Sequence, residues 1–105
     1  MSDLMETIDR LVRPIEDWPE PGVTFRDITP LLADPEALPA VIDGLVELAE
    51  NVGPVDAVLG IEARGFLFGP SVAVRLGAGF VPVRKAGKLP SHSLSTSYEL
   101  EYGAA

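Results

Sequence analysis

The chain has 105 residues, no cysteine and a formal net charge of −8. This length suits one small domain, the lack of cysteine excludes disulfides and thiolate metal sites, and the acidic balance argues against general nucleic-acid or membrane binding. Hydrophobic residues make up 47% of the chain, which is ordinary for a globular core. No apolar run approaches the roughly 18 residues of a transmembrane helix, and the acidic N-terminus is unlike a targeting segment. We therefore expect a cytoplasmic protein.

The charges are distributed unevenly along the chain. Up to Glu62 there are fourteen acidic and three basic residues, whereas from Ala63 onward there are five basic and two acidic residues. No acidic side chain lies between Glu62 and Glu99. Either this is ordinary surface variation, or it marks a local site for a small anion in an otherwise acidic protein.

The first third of the chain is predicted to contain one helix followed by a loop. Apolar residues at positions 4–12 recur at helical spacing. Asp3 is the predicted N-cap, with Glu6 completing a capping box, and Pro14 lies just past the expected end. The segment from Arg13 to Asp27 holds three prolines and a glycine, which predicts a loop.

The middle of the chain predicts a second helix and then a strand–helix–strand unit. Thr29 and Asp34 each precede a proline and are predicted caps. A second amphipathic helix is expected from Leu38 to positions 51–54. The short apolar runs 55–61 and 80–84 then flank a helical segment at 66–76, which indicates parallel strands with a crossover helix.

The last fifteen residues differ in character. Small polar residues dominate positions 91–97, and Tyr98, Leu100 and Tyr102 then alternate with glutamates. The two-residue period predicts a half-exposed strand within a flexible flap.

Charged loops follow both predicted strands. In open parallel sheets ligands bind beyond the carboxyl ends of the strands, where the chain places 62–66 and 84–88. Arg64 presents a planar fork of donors to a phosphate and Lys88 a point charge, while Gly65 opens the start of a helix to an anion. Each loop alone is more typical of a plain turn.

Four longer stretches, in fixed order and covering nearly all of the chain, carry a resemblance. They are PGVTFRDITPLL at 21–32, GIEARGFLFGP at 60–70, VRKAGKLP at 83–90 and SYELEYG at 97–103. The chain closely resembles the adenine phosphoribosyltransferase family. The resemblance implies a type I phosphoribosyltransferase-like α/β fold, a parallel sheet with flanking helices, truncated and with an N-terminal hood segment. The implied segments are a helix and base-binding hood at 1–34, a partial α/β core at 35–90 and a flexible flap at 91–105.

The implied function is purine salvage. Adenine and phosphoribosyl diphosphate would be converted to AMP and diphosphate by a homodimer, with Mg²⁺ bound along with phosphoribosyl diphosphate and no metal held by the protein alone. The alternatives are a non-catalytic regulator that binds a purine or phosphoribosyl diphosphate, a related transferase for another base, and a structural half that works only with a second polypeptide.

The resemblance also assigns residues. Phe25 would stack on adenine while backbone groups of Thr24 and Arg26 read the base edge; on pattern alone Phe25 is a core aromatic. Glu101 would be the acid/base at adenine with Tyr102 beside it, although Glu101 also fits the solvated face of a strand. The glutamate and alanine of the first loop are implied to form a cis peptide. The implied diphosphate-binding residues are Glu62, Ala63, Arg64, Arg84, Lys85 and Lys88.

One departure from the family pattern concerns the sugar phosphate. The family's acidic pair and Thr-Gly-Gly-Thr loop lie beyond the position of Ala105. We therefore expect no transferase activity from these 105 residues alone. We also expect unpaired strand edges and bare apolar faces in the sheet, and poor solubility.

Overall fold

The computed structural model describes residues 2–85 together with the backbone of 99–100 and 103–104. Its elements are a mixture of helices and strands, as expected for an α/β chain. In chain order they are α1 Ser2–Leu11, β1 Arg13–Glu16, β2 Thr24–Asp27, α2 Thr29–Ala33, α3 Ala37–Val52, β3 Ala57–Ile61, α4 Arg64–Leu76, β4 Gly79–Val83, β5 Glu99–Leu100 and β6 Gly103–Ala104.

The chain forms two compact units, Met1–Leu48 and Ala49–Ala105. This division differs from the predicted segments 1–34, 35–90 and 91–105, which stay a prediction. In the described residues no helix is long and apolar enough to span a membrane. The cytoplasmic location expected from the sequence also stays a prediction.

Helix α1 begins earlier than its capping signal predicted. Asp3 lies in the first turn of the helix rather than at its cap, so the predicted cap is wrong. The carbonyl of Asp3 accepts a hydrogen bond from the Thr7 hydroxyl at 2.9 Å. On its apolar face Leu4 lies against α3, where a Cβ atom added to Gly44 would come within 2.6 Å of the Leu4 side chain.

The predicted loop between Arg13 and Asp27 is wrong, because most of it is a β-hairpin. Strands β1 and β2 pair antiparallel, with Arg13 opposite Asp27 and Ile15 opposite Phe25. The connection is closed by the Trp18 N–H, which donates to the Val23 carbonyl at 3.0 Å. A two-stranded ribbon has only edge strands, so the missing N–H of a proline in β1 breaks no interior ladder.

The two predicted caps that follow have opposite outcomes. Thr29 is the first residue of α2 rather than its cap, and Ile28 in the cap position makes no side-chain capping bond. Asp34 is confirmed as a cap, since its carboxylate accepts the N–H groups of Glu36 and Ala37 at 2.9 and 3.1 Å. These bonds favour the charged form, and with the Glu36 N–H first in importance they lower the pKa of Asp34.

The predicted strand–helix–strand unit is confirmed. Strands β3 and β4 pair in parallel from Ala57 opposite Gly79 to Ile61 opposite Val83. Helix α4 connects them, and Gly77 caps its C-terminal end with a φ of 69°, a left-handed conformation that glycine adopts without a Cβ clash.

The two faces of this sheet differ sharply. Toward α4 the Phe80 ring lies over bare backbone, since a Cβ atom on Gly60 or Gly69 would come within 2.6 or 2.3 Å of that ring. On the opposite face large apolar side chains stay exposed, as the sequence led us to expect. They are Leu59, Ile61, Val81 and Val83, with Leu59 64% exposed.

Candidate functional site

The carboxyl ends of the two parallel strands lie side by side. Beyond the last register pair, the Glu62 N–H donates to the Val83 carbonyl at 3.0 Å. The Glu62 side chain continues the connection, because its carboxylate accepts the backbone N–H of Lys85. The two charged loops are therefore neighbours, and that part of the sequence-based prediction is confirmed.

The first loop leads directly into α4. Arg64 is the first residue of the helix, and the Phe66 N–H closes the turn by donating to the Ala63 carbonyl at 3.0 Å. The peptide bond between Glu62 and Ala63 is cis, as the resemblance implied. No acidic residue lies in the first turn of α4, and the N-terminus of a helix favours an anion.

Two glycines allow the start of α4 to lie directly against β3. A Cβ atom on Gly65 would come within 2.7 Å of the Gly60 carbonyl carbon, and one on Gly60 within 2.6 Å of the Gly65 carbonyl oxygen. The backbone of α4 thus touches the backbone of β3, a contact that any side chain at these two positions would push apart.

Of the six residues predicted to bind diphosphate, five fall at this edge of the sheet. Glu62 is half-buried, and the other four are exposed; these are Ala63, Arg64, Arg84 and Lys85. The sixth, Lys88, lies outside the described residues. The same holds for the predicted catalytic residues Glu101 and Tyr102. Within the predicted flap, β5 pairs antiparallel with β6.

The predicted base-binding residues all lie on β2. Phe25 is half-buried opposite Ile15 and packs edge-on against Trp18, with ring centroids 4.6 Å apart at 71°. Thr24 and Arg26 are exposed, and because successive strand side chains point to opposite faces, theirs point away from the Phe25 face. Only their backbone groups are within reach of a ligand on that face.

Asp27 anchors the hairpin and was missed in the sequence. It is buried, with 8% of its surface exposed. One carboxylate oxygen accepts the Thr29 N–H at 3.0 Å and the Thr29 hydroxyl at 2.8 Å, while the other pairs with the guanidinium of Arg13. The Thr29 bonds, with Arg13 adding to them, lower the pKa of Asp27 from its ordinary 3.8 to about 2. No linear spacing signals this contact, because its partners meet only once the hairpin forms.

Comparison with known proteins gives a consistent result. The chain is 59% identical over 104 residues to the adenine phosphoribosyltransferase of Thermobifida fusca, covering 99% of this chain and 58% of that protein. It spans less than two thirds of the length of the curated relatives it matches. No family model matches it.

Solved structures agree in fold. The adenine phosphoribosyltransferase of Saccharomyces cerevisiae, complexed with an imino-altritol bisphosphate and adenine, superposes with a TM-score of 0.89 at 37% identity, covering 99% of this chain and 61% of that one. The enzyme of Giardia lamblia, complexed with 9-deazaadenine, gives 0.86 at 38% identity, covering 95% of this chain and 54% of that one.

Fold and sequence together show that the chain resembles the type I phosphoribosyltransferases over nearly all of its own length. The particular members that it matches are the adenine phosphoribosyltransferases. The resemblance expected from the sequence is thus confirmed over 99% of the chain.

Proposed function

We propose that this chain supplies the base-binding and diphosphate-binding portions of an adenine phosphoribosyltransferase, which converts adenine and phosphoribosyl diphosphate to AMP and diphosphate. One observation carries the proposal: residues 62–65 and 84–85 are hydrogen-bonded neighbours at the carboxyl edge of a parallel sheet, next to a helix N-terminus. This is where open α/β sheets bind their ligands, and the solved relatives named above were complexed with adenine or an analogue of it.

The cationic loops are proposed to hold the diphosphate. As the bond from the ribose carbon to the leaving oxygen breaks, negative charge grows on diphosphate and positive charge on the sugar. Arg64 would be the main ligand, with Arg84, Lys85 and Lys88 adding charge. Fixed cations aimed at the leaving group stabilise this charge-separated state more than the bound substrate, which accelerates the step.

The hairpin is proposed to bind adenine. The Phe25 ring would stack on the base, and the backbone of Thr24 and Arg26 would read its edge. The side-chain alternation of β2 supports this division, since it directs the two flanking side chains to the other face of the ribbon. Trp18 packs against one side of Phe25 and would restrict the rotation of its ring.

Proton transfer is assigned to the flap segment. The attacking nitrogen of adenine forms the new bond to the ribose carbon, and the purine ring must then lose a proton. Glu101 is the proposed acceptor of that proton, with Tyr102 beside it. A closed flap would exclude water, which otherwise hydrolyses the reactive sugar.

Magnesium is proposed to enter with its substrate. In the described part of the chain no group of three or more acidic or histidine side chains is arranged to hold a metal. Mg²⁺ commonly takes most of its ligands from substrate phosphates and water, so the cation would neutralise phosphoribosyl diphosphate rather than occupy a protein cage.

A homodimer is proposed as well. In it Arg84 and Lys85 would line the site and also reach toward the partner subunit.

The proposal is tested by titrating the 105-residue chain with inorganic diphosphate and Mg²⁺ in a calorimeter. Arg64→Ala should weaken binding about 10- to 100-fold, the scale of losing hydrogen bonds to a charged group, and Arg64→Lys should restore only part of it because the fork is lost. Arg75→Ala removes the same charge from the last turn of α4 and should change nothing. Equal effects at Arg64 and Arg75 would refute the proposed site.

Adenine binding and turnover separate the alternatives. Phe25→Leu should weaken adenine binding and leave diphosphate binding unchanged. The full gene product should form AMP from adenine and phosphoribosyl diphosphate; binding of both ligands without AMP formation would support the regulator instead.

A further inference from the structure

We infer that Glu62 acts as a positioning residue that fixes the distance between the two cationic loops, rather than as a ligand of the diphosphate. The inference rests on the proposed function. It starts from two hydrogen bonds across the strand ends: the Glu62 N–H donates to the Val83 carbonyl, and the Glu62 carboxylate accepts the Lys85 N–H. These two bonds are called the Glu62 bridge.

The Glu62 bridge holds the second loop on both sides of Arg84. One bond ends on the residue before Arg84 and the other on the residue after it, so the backbone at Arg84 is held at both ends. The sheet alone cannot do this, because its last register pair is Ile61 with Val83. Without the carboxylate, the bond from the Glu62 N–H to the Val83 carbonyl would remain and the bond from the Lys85 N–H would be lost.

Glu62 itself belongs to the first loop. Arg64 follows Glu62 by two positions and opens α4, and the Gly60–Gly65 backbone contact holds that helix start against β3. Glu62 is therefore two residues from Arg64 along the chain and is hydrogen-bonded to both sequence neighbours of Arg84. Two phosphates joined by one bridging oxygen have a fixed spacing, so a site that binds them gains from loops whose spacing is fixed in advance.

A carboxylate suits this task better than a neutral acceptor. Hydrogen bonds to a charged acceptor are roughly twice as strong as neutral ones. The negative charge of Glu62 is also opposite in sign to the side chains of Arg64, Arg84 and Lys85 in the two loops, and opposite charges attract. Contacting the diphosphate directly would instead place like charges together, which the bond to the Lys85 N–H avoids by turning the carboxylate toward backbone.

Two measurements on the 105-residue chain test the Glu62 bridge. The first is amide hydrogen exchange at Lys85, followed by NMR without any ligand. Glu62→Ala should accelerate exchange at Lys85. Glu62→Gln should largely preserve the protection of this amide, because an amide oxygen remains an acceptor. The control Glu50→Ala makes the same charge change at an exposed site of α3 and should have no effect. Unchanged exchange at Lys85 in Glu62→Ala would overturn the inference.

The second measurement is the affinity for inorganic diphosphate with Mg²⁺. Glu62→Ala should weaken binding roughly tenfold, the scale of one charged hydrogen bond, while Glu62→Gln should stay within about threefold and Glu50→Ala should match the wild type. If Glu62→Gln loses binding as fully as Glu62→Ala while Lys85 stays protected, the carboxylate is a direct ligand and the inference fails. If the wild type itself binds no diphosphate, the proposed function fails and the role assigned to the bridge fails with it.

Discussion

The hairpin of residues 13–27 and the strand–helix–strand unit of 57–83 are held together by different forces. Side-chain polar contacts secure the hairpin, with Asp27 bonded to Thr29 and Arg13. Close backbone approach secures the second region, where the Phe80 ring and the start of α4 rest on glycine. The stability of the hairpin should therefore depend on pH, and the stability of the strand–helix–strand unit should depend on the volume of the side chains placed at its glycines. Neither region should show the dependence expected of the other.

Adding a single methyl group at Gly60 should have the largest effect. Its Cβ atom would come within 2.6 Å of both the Gly65 carbonyl oxygen and the Phe80 ring, and forced overpacking of this kind typically costs about 1–3 kcal/mol. Gly60→Ala should therefore lower the free energy of unfolding by about that amount and weaken diphosphate binding by moving Arg64.

A matched control is available on the neighbouring strand. A Cβ atom on Gly79 meets nothing within 4 Å, so Gly79→Ala should be neutral or slightly stabilising. Denaturant unfolding of the two variants measures the difference. Equal stabilities for both would show that glycine packing does not hold this region together.

Removing the Asp27 charge should have a smaller effect that depends on pH. Its pKa in the folded chain lies at about 2, below the ordinary 3.8, so the stability it contributes is present above about pH 4 and is lost as the pH falls toward about pH 2. The difference in melting temperature between wild type and Asp27→Asn should be largest near neutral pH and should vanish near the lower limit. Asp9→Asn, which removes a charge from an exposed position of α1, is the control for loss of a charge. A difference that stays constant across this range would contradict the role given to Asp27.

The same contrast explains what the sequence could predict. The strand–helix–strand unit was predicted because the short apolar runs 55–61 and 80–84 and the helical segment between them are local signals that tertiary contacts only reinforce. The neighbouring positions of the two charged loops followed from parallel pairing alone. The exposed apolar face of β3 and β4 was expected on a different ground, namely the part of the family pattern that these 105 residues do not span.

The hairpin was not predicted because its signals conflict locally. Strands of four residues are too short to show a period, and the prolines around Trp18 are turn residues in any reading. The cap assigned to Thr29 was wrong for a related reason: Asp27, two residues earlier, takes both the Thr29 N–H and its hydroxyl. Its other partner, Arg13, is fourteen positions away, so only the folded ribbon brings the pair together.

The roles of individual site residues could be predicted neither from local patterns nor from the fold. The structure brings Arg64 and Arg84 to one edge of a sheet through Glu62, but their roles come from the resemblance and stay proposals. Lys88, Glu101 and Tyr102 lie outside the described residues, and their roles are proposals from sequence alone.

The proposed function requires the two loops to form one anion site. The direct test is an NMR titration of the ¹⁵N-labelled chain with diphosphate and Mg²⁺, following the amides of 62–66 and 84–85. We expect both groups of amides to shift along one saturation curve with a single Kd, and both responses to disappear in Arg64→Ala. Shifts confined to one loop, or two curves with different Kd values, would contradict a shared site.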